Sequence, residues 1–405
     1  MMKVTLQDIK DAKETIKDIV KKTDILESAK LSAMTGANVF YKCENLQKTG
    51  SFKVRGACNK IANLTDEEKA NGVIASSAGN HAQGVALGAQ MTGIKATIVM
   101  PATAPLAKVT ATKGYGAEVV LNGLVYDDAY AKAVELQKET GATFLHPFND
   151  KYVISGQGTI GLEILEQLDG KVDTILCPIG GGGIIAGIAV AAKGINPNIK
   201  IVGVQTANIP SMHESMKNGE VTTAFKSTTI ADGIAVKTPG DVTFEIINEL
   251  VDEVIVVEED EIAQGMLFLM ENQKVVAEGA GAVSTAALLS GKYVPQKGEN
   301  VVCVISGGNV DVNTLYRVIG TALTKEARRY AFNTVIQDKP GGLAELTKII
   351  SEHDANILNA NLTRSSMGGA TGTLTAEMVL ETLNQDHIDR LKADILKAEF
   401  DIVEV

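Results

Sequence analysis

Hydrophobic positions along the chain alternate between two patterns. Short Val- and Ile-rich runs predict strands at Val39–Lys42, Val73–Ala75, Ala96–Met100, Glu118–Leu121 and Thr143–His146. The same signal returns at Thr174–Pro178, Ile201–Gln205, Glu253–Val257 and Val301–Ile305. Between these runs, apolar residues recur at helical spacing over Gly79–Met91, Ala107–Lys113, Asp127–Glu139, Thr159–Gln167, Ile185–Lys193, Asp260–Glu271 and Gly281–Leu289. Ahead of them Thr5 is placed to cap a helix with Leu6, Ile9, Ala12, Ile16 and Val20 along one side. Continuous Val/Ile runs separated by helices predict parallel strands buried on both faces, hence an α/β fold. Right-handed crossovers then put ligand sites beyond the carboxyl ends of the strands.

After Arg317 the pattern changes. A helical stretch runs to about Arg329, followed by a strand at Arg329–Gln337, a helix at Gly341–Glu352 and strands at Asn356–Thr363 and Leu374–Glu381. A helix at Asp386–Leu396 and a strand at Phe400–Val405 complete a β-α-β-β-α-β unit, the ferredoxin-like order. The boundary is expected near residue 325, giving domains 1–325 and 326–405.

Composition narrows the function classes. Hydrophobic residues at 45% and charged residues at 21% exclude a disordered chain. A net charge of −11 argues against nucleic acid, which needs a basic face. The chain opens on a charged amphipathic pattern rather than a leader, and the apolar run Ile184–Ala192 stops at Lys193, too short to span a membrane. A soluble cytoplasmic protein with no membrane partner is expected. Cys43, Cys58, Cys177 and Cys303 are dispersed without metal-ligand spacing, which predicts reduced, buried thiols and no metal site.

The chemistry concentrates in loops that follow strands and precede helices. Ser76-Ser77-Ala78-Gly79-Asn80-His81 offers hydroxyls, an amide and helix-start N–H groups, suited to a carboxylate. Gly180-Gly181-Gly182-Gly183 lets the backbone wrap an anion ahead of the helix beginning near Ile184; a flexible hinge is the alternative. It has neither the G-x-x-x-x-G-K-[ST] pattern nor the acidic partner of a dinucleotide site. Ser306-Gly307-Gly308-Asn309 places a hydroxyl at a strand end. Finally, Ser51-Phe52-Lys53-Val54-Arg55-Gly56-Ala57 sets a lysine at a helix start; a partly buried amine of this kind becomes neutral and nucleophilic and condenses with aldehydes. Alone, such a lysine is ordinarily a solvated charge.

The motifs S-F-K-x-R-G-A, S-x-G-N-H-x-Q-G, G-G-G-G and S-G-G-N, in this order, resemble those of the threonine ammonia-lyases (threonine dehydratases), pyridoxal-phosphate enzymes of fold type II. The resemblance covers essentially the whole chain. It implies a tryptophan-synthase-β-like catalytic domain of two α/β subdomains, with pyridoxal 5'-phosphate as cofactor. It implies that Lys53 holds the cofactor and later acts on the substrate's Cα proton, and that Phe52 packs near the ring. Asn80 would bond the ring's 3-oxygen, Gly180 to Ile184 the phosphate, and Ser306 would face the ring nitrogen. Ser76, Ser77, Gly79, Asn80 and His81 would receive the carboxylate of threonine or serine. Serine racemases of this family carry a serine where this chain has Ala78, so racemisation is disfavoured by comparison with elimination. The same motifs are compatible with a serine dehydratase or with a catalytically dead amino-acid sensor. Ala231–Val236 also matches the dehydratases, with Asp232 read as a structural turn. Of the five histidines only His81 lies in a motif. The C-terminal unit resembles an ACT domain, which implies pairing into a homodimer or homotetramer and an amino-acid or nucleotide effector near Gly341, Gly342, Leu343, Asn356 and Ile357. A purely structural pairing module would have the same pattern.

Overall fold

The computed structural model describes residues 4–225, 228–364 and 372–405. They divide into two compact units, Met1–Asp311 and Val312–Val405, so the helix Val312–Lys325, which the hydropathy pattern joined to the first domain, falls in the second.

In the first unit the strands are β1 (Ile25–Glu27), β2 (Asn38–Cys43), β3 (Val73–Ser76), β4 (Ala96–Met100), β5 (Glu118–Leu121), β6 (Thr143–Phe144), β7 (Thr174–Pro178), β8 (Lys200–Thr206), β9 (Glu253–Val257) and β10 (Asn300–Ile305). They form a large sheet in the order β1-β2-β10-β7-β8-β9 and a smaller one in the order β5-β4-β3-β6. Every pairing is parallel except that of β1 with β2. Each sheet has its own core: Ile175, Ile185, Ile188, Ile201 and Val302 in the large subdomain, Val73, Ala75, Ile98 and Leu145 in the small one. Among the described residues no helix is long and apolar enough to cross a membrane. All four cysteines are buried and free.

Two departures from the hydropathy pattern have local causes. The strand expected to reach His146 stops at Phe144 because the His146 ring accepts the N–H groups of Phe148 (3.4 Å) and Asn149 (2.9 Å) and turns the chain. The helix expected from Thr159 begins instead at Lys151, where Asp150 caps the N–H groups of Tyr152 (2.8 Å) and Val153 (3.1 Å). The glycines that obscured this longer helix are needed by its neighbours. A Cβ on Gly156 would stand 2.6 Å from the Arg55 carbonyl oxygen, and one on Gly158 2.9 Å from that of Gly187.

Four charges are buried beneath the helix Lys53–Ala62. Arg55 makes a two-bond fork to Glu44 (2.8 and 2.8 Å) and another to Glu163 (2.7 and 2.9 Å). Lys42 donates to Glu163 (2.6 Å), to Gln167 (2.9 Å) and to the Thr23 carbonyl (2.8 Å). Burial pushes Glu44 up, yet the charge and bonds of Arg55 outweigh it and hold this carboxyl below its ordinary range.

The second unit consists of β11 (Arg329–Gln337), β12 (Asn356–Thr363), β13 (Thr373–Glu381) and β14 (Val403–Glu404), in the antiparallel order β12-β13-β11-β14, with helices at Gly342–Glu352 and Gln385–Lys397. Phe332, Leu346, Ile350, Met378, Leu391 and Ile395 fill its core. The last strand is shorter than expected from Phe400, because Phe400 N–H still closes onto the Ile395 carbonyl (3.3 Å) at the helix end.

Candidate active site

Strand ends and helix starts of the first unit converge on a cleft of about 720 Å³. Phe52, Lys53, Ser76, Ser77, Gly79, Asn80, His81, Gly180, Gly181, Gly182, Gly183, Ile184 and Ser306, read from separate stretches of sequence, all line it.

Lys53 is the first residue of the helix Lys53–Ala62. The segment before it is tied to the loop after β10: Phe52 N–H donates to the Ser306 carbonyl (3.1 Å), and Ser51 bridges Gly307. The Lys53 Nζ donates to the Pro147 carbonyl (3.1 Å) and lies 5.1 Å from the centroid of the Phe52 ring. Burial brings this amine down to about 8, with the nearby Glu278 charge opposing the shift. The neutral fraction near neutrality is thus far above that of an ordinary lysine, though still the minor form, and it is the form a nucleophile needs.

The glycine loop leaves β7 and enters the helix Gly183–Ile195. Gly182 has φ +96°, a left-handed conformation that favours glycine, and a Cβ on Gly181 would stand 2.3 Å from the Phe148 ring. Thr243 Oγ1 secures the loop by donating to the Gly181 carbonyl (2.6 Å). Bare backbone at a helix start is a cradle for a phosphate.

On the opposite wall β3 ends at Ser76, and the helix Asn80–Thr92 begins. Ser76 Oγ is buried with no hydrogen-bond partner, a polar group awaiting a ligand, while Ser77 Oγ accepts the Gly79 N–H (3.2 Å). His81 Nε2–H donates to the Leu145 carbonyl (2.8 Å). Burial, helped by the Lys53 charge, pushes His81 down to about 3, so it is neutral and holds the loop rather than an anion's charge. Ser306, 3% exposed, follows β10.

Of the cleft residues Glu278 lies outside the motifs, and His146 packs on Phe148, which lines the cleft. Glu278, 4% exposed, accepts from Asn80 Nδ2 (2.7 Å). Burial and the charge of Asp232 raise its carboxyl to about 7, against the bond from Asn80 and the charges of Lys108 and Lys53. Its signal was an acidic residue inside the small-residue run Ala277–Ala282. His146, brought to about 4 by burial and then by the Lys53 charge, stands edge-on to Phe148 (4.6 Å between centroids), whose ring backs the glycine loop. Asp232 lies in the turn Asp232–Ile234 and pairs with Lys108 (3.0 Å) at the cleft.

The effector candidates are not gathered in one copy of the second unit. Gly341, Gly342 and Leu343 open the helix Gly342–Glu352, whereas Asn356 and Ile357 begin β12 beyond its other end, about 16 Å of helix away.

A nucleophilic amine, a backbone cradle, an unpartnered hydroxyl and a neutral hydroxyl at a strand end fit pyridoxal phosphate and an amino acid. A family model described as pyridoxal-phosphate dependent enzyme matches residues 16–307. An L-threonine ammonia-lyase of Thermotoga maritima is 50% identical over 399 residues, 98% of this chain and 99% of its own. Among solved structures, the processed form of threonine deaminase isoform 2 from Solanum lycopersicum superposes with a TM-score of 0.74 at 39% identity, covering 78% of this chain and 92% of that one. A maize serine racemase gives 0.75 at 39% identity, covering 80% and 99%.

Proposed function

The chain belongs to the pyridoxal-phosphate-dependent enzyme family, and from that premise we propose that it is a threonine ammonia-lyase, converting L-threonine to 2-oxobutanoate and ammonia and L-serine to pyruvate and ammonia. The observation that carries the reading is the Lys53 amine, held in the same cleft as the glycine loop, Ser306 and the Ser76–His81 loop. When bound, pyridoxal phosphate supplies an electron sink for the bond broken at the substrate's Cα.

In this reading the backbone N–H groups of Gly180 to Ile184 would bind the phosphate, Phe52 would pack near the ring, Asn80 would bond the ring's 3-oxygen, and Lys53 would hold the cofactor through its amine. The loop of Ser76, Ser77, Gly79, Asn80 and His81 would receive the substrate carboxylate, with His81 positioning the loop through its bond to the Leu145 carbonyl, and would so fix which Cα bond faces Lys53. With its amine free, Lys53 would be the group placed to take the Cα proton. Ser306 would face the ring nitrogen with a hydroxyl, which would not hold a proton there as a carboxylate does. Such a partner would suit elimination, in which the Cα proton and the β-hydroxyl depart together as water, over transamination. Racemisation needs an acid–base group on the opposite face, and the position used in racemases is Ala78.

Two measurements test the proposal. Borohydride reduction of the loaded enzyme should fix the cofactor's mass on the Lys53 peptide, and Lys53→Ala should abolish 2-oxobutanoate release; sustained turnover by that variant sinks the assignment. Assays with L- and D-serine separate elimination from racemisation. For the second unit we propose an ACT-type regulatory role in a homodimer or homotetramer, supported by its βαββαβ order. A second copy would supply the strand-start half of an effector site. Threonine curves taken with and without branched-chain amino acids and AMP, on the full chain and on residues 1–311, test this; superimposable curves count against it. A cytoplasmic location follows from this reading as a proposal.

A further inference from the structure

Asn80 sits in a directional chain of hydrogen bonds that the proposed reaction does not use. Asn309 Nδ2 donates to the Thr49 carbonyl (2.7 Å) and to Asn80 Oδ1 (2.8 Å), and Asn80 Nδ2 donates to Glu278 Oε1 (2.7 Å). A free asparagine carboxamide presents either its oxygen or its nitrogen after a half-turn, with little change of shape. Here the ends of the chain remove that freedom. The Thr49 carbonyl only accepts, so Asn309 must offer its nitrogen. Both hydrogens of that nitrogen are then spent, one of them on Asn80 Oδ1.

Turning Asn80 over would set N–H against N–H at Asn309. It would also set oxygen against oxygen at Glu278 unless that carboxyl carries a proton. Glu278 is itself anchored, because its backbone N–H donates to the Gly307 carbonyl (3.0 Å) and it precedes the helix Gly279–Leu289. Asn309 is packed as well: a Cβ on Gly50 would stand 2.3 Å from its Oδ1. The charged groups around Glu278 are Asp232, Lys108 and Lys53, and none of them intervenes in its bond to Asn80.

We infer that Glu278 and Asn309 are positioning residues that lock the Asn80 carboxamide, leaving Asn80 one uncommitted N–H to give to an oxygen of the bound ring. The inference rests on the proposed cofactor site. It adds to it that the donor polarity of Asn80 is set by a relay running Thr49–Asn309–Asn80–Glu278, with the two outer side chains acting only through the inner one.

The test measures the affinity of the apoenzyme for pyridoxal phosphate by equilibrium dialysis, together with the apoenzyme's melting temperature. It uses wild type, Asn80→Ala, Asn309→Ala, Glu278→Ala and Glu278→Gln, and each outer substitution combined with Asn80→Ala. Asn80→Ala, Asn309→Ala and Glu278→Ala should each weaken binding by about tenfold, the loss of one net hydrogen bond. In the Asn80→Ala background neither outer substitution should weaken it further. Glu278→Gln, whose amide oxygen still accepts, should stay within about threefold of wild type. If Glu278→Ala does not fold, Asn309→Ala and Glu278→Gln carry the test. Losses that multiply to about a hundredfold in the double variants, or a melting temperature lowered with binding unchanged, overturn the inference. Failure of the wild type to bind pyridoxal phosphate overturns the cofactor reading instead, so the two failures are distinct.

Discussion

The buried charges beneath the Lys53 helix make a quantitative prediction. Lys42 and Arg55 balance Glu44 and Glu163, with all four side chains at 6% exposure or less. Glu163→Gln keeps the shape and one acceptor but leaves two buried cations against one carboxylate. Breaking a buried pair from one side costs about 3–5 kcal/mol, because the remaining charge has lost its counterion in a place water cannot reach. At roughly 2–4 °C per kcal/mol for domains of 150–250 residues, that is on the order of 10 °C in Tm. The assay is a thermal scan of the apoenzyme, since bound cofactor would raise Tm on its own account. Lys42→Met combined with Glu163→Gln restores one cation to one anion and should therefore melt above Glu163→Gln alone. A single variant within about 2 °C of wild type, or a double variant that melts below the single one, would refute the charge-balance reasoning; that threshold is on the order of the shift from 1 kcal/mol.

The remaining predictions concern the cleft. Because Lys53 is held at about 8 instead of its ordinary 10.5, capture of pyridoxal phosphate by the apoenzyme should accelerate with a midpoint near pH 8, followed by stopped-flow absorbance; a midpoint near the ordinary 10.5 contradicts the burial argument. Glu278, raised from 4.5 to about 7, holds its proton more tightly folded than unfolded, so its contribution to stability is fully present below about pH 4.5 and lost as the pH rises through about 7. Glu278→Gln should remove that part of the slope in denaturant titrations across this window. Gly182→Ala puts a methyl at φ +96° and 2.7 Å from Ile247 Cδ1; it should cost about 1–3 kcal/mol and weaken cofactor binding, read by denaturation and dialysis.

Most strands of the first unit were legible because parallel strands in a covered sheet read as apolar runs, and β4, β5, β7 and β9 have the bounds the pattern gives them; β1, a three-residue antiparallel edge strand, is too short to give such a run. The site loops were legible because glycine and serine concentrate where a chain leaves a strand. Glu278 was not, since its meaning depends on Asn80, 198 positions away, and on burial that no local pattern encodes. His146 escaped for a similar reason: its ring ends a strand by accepting backbone N–H groups, a role that any run of Thr-Phe-Leu-His conceals. The helix Lys151–Gln167 looks shorter from its sequence because glycines weaken a helix in isolation. They are favoured here because other helices press against them.

That pressing has a consequence for how this protein tolerates change. Gly56 and Gly156 bring the Lys53 helix against the middle helix Lys151–Gln167, and Gly158 and Gly187 bring the helix Gly183–Ile195, which follows the glycine loop, against that same middle helix. The amine and the glycine cradle stand at the starts of two helices braced on a common third, main chain to main chain. Their separation is therefore gauged by peptide atoms, whose dimensions every sequence shares. Side chains elsewhere in the core can drift, swap and repack over evolutionary time while this gauge holds. Substrate preference is then free to vary on the walls of the cleft, with the distance between its two fixed points preserved.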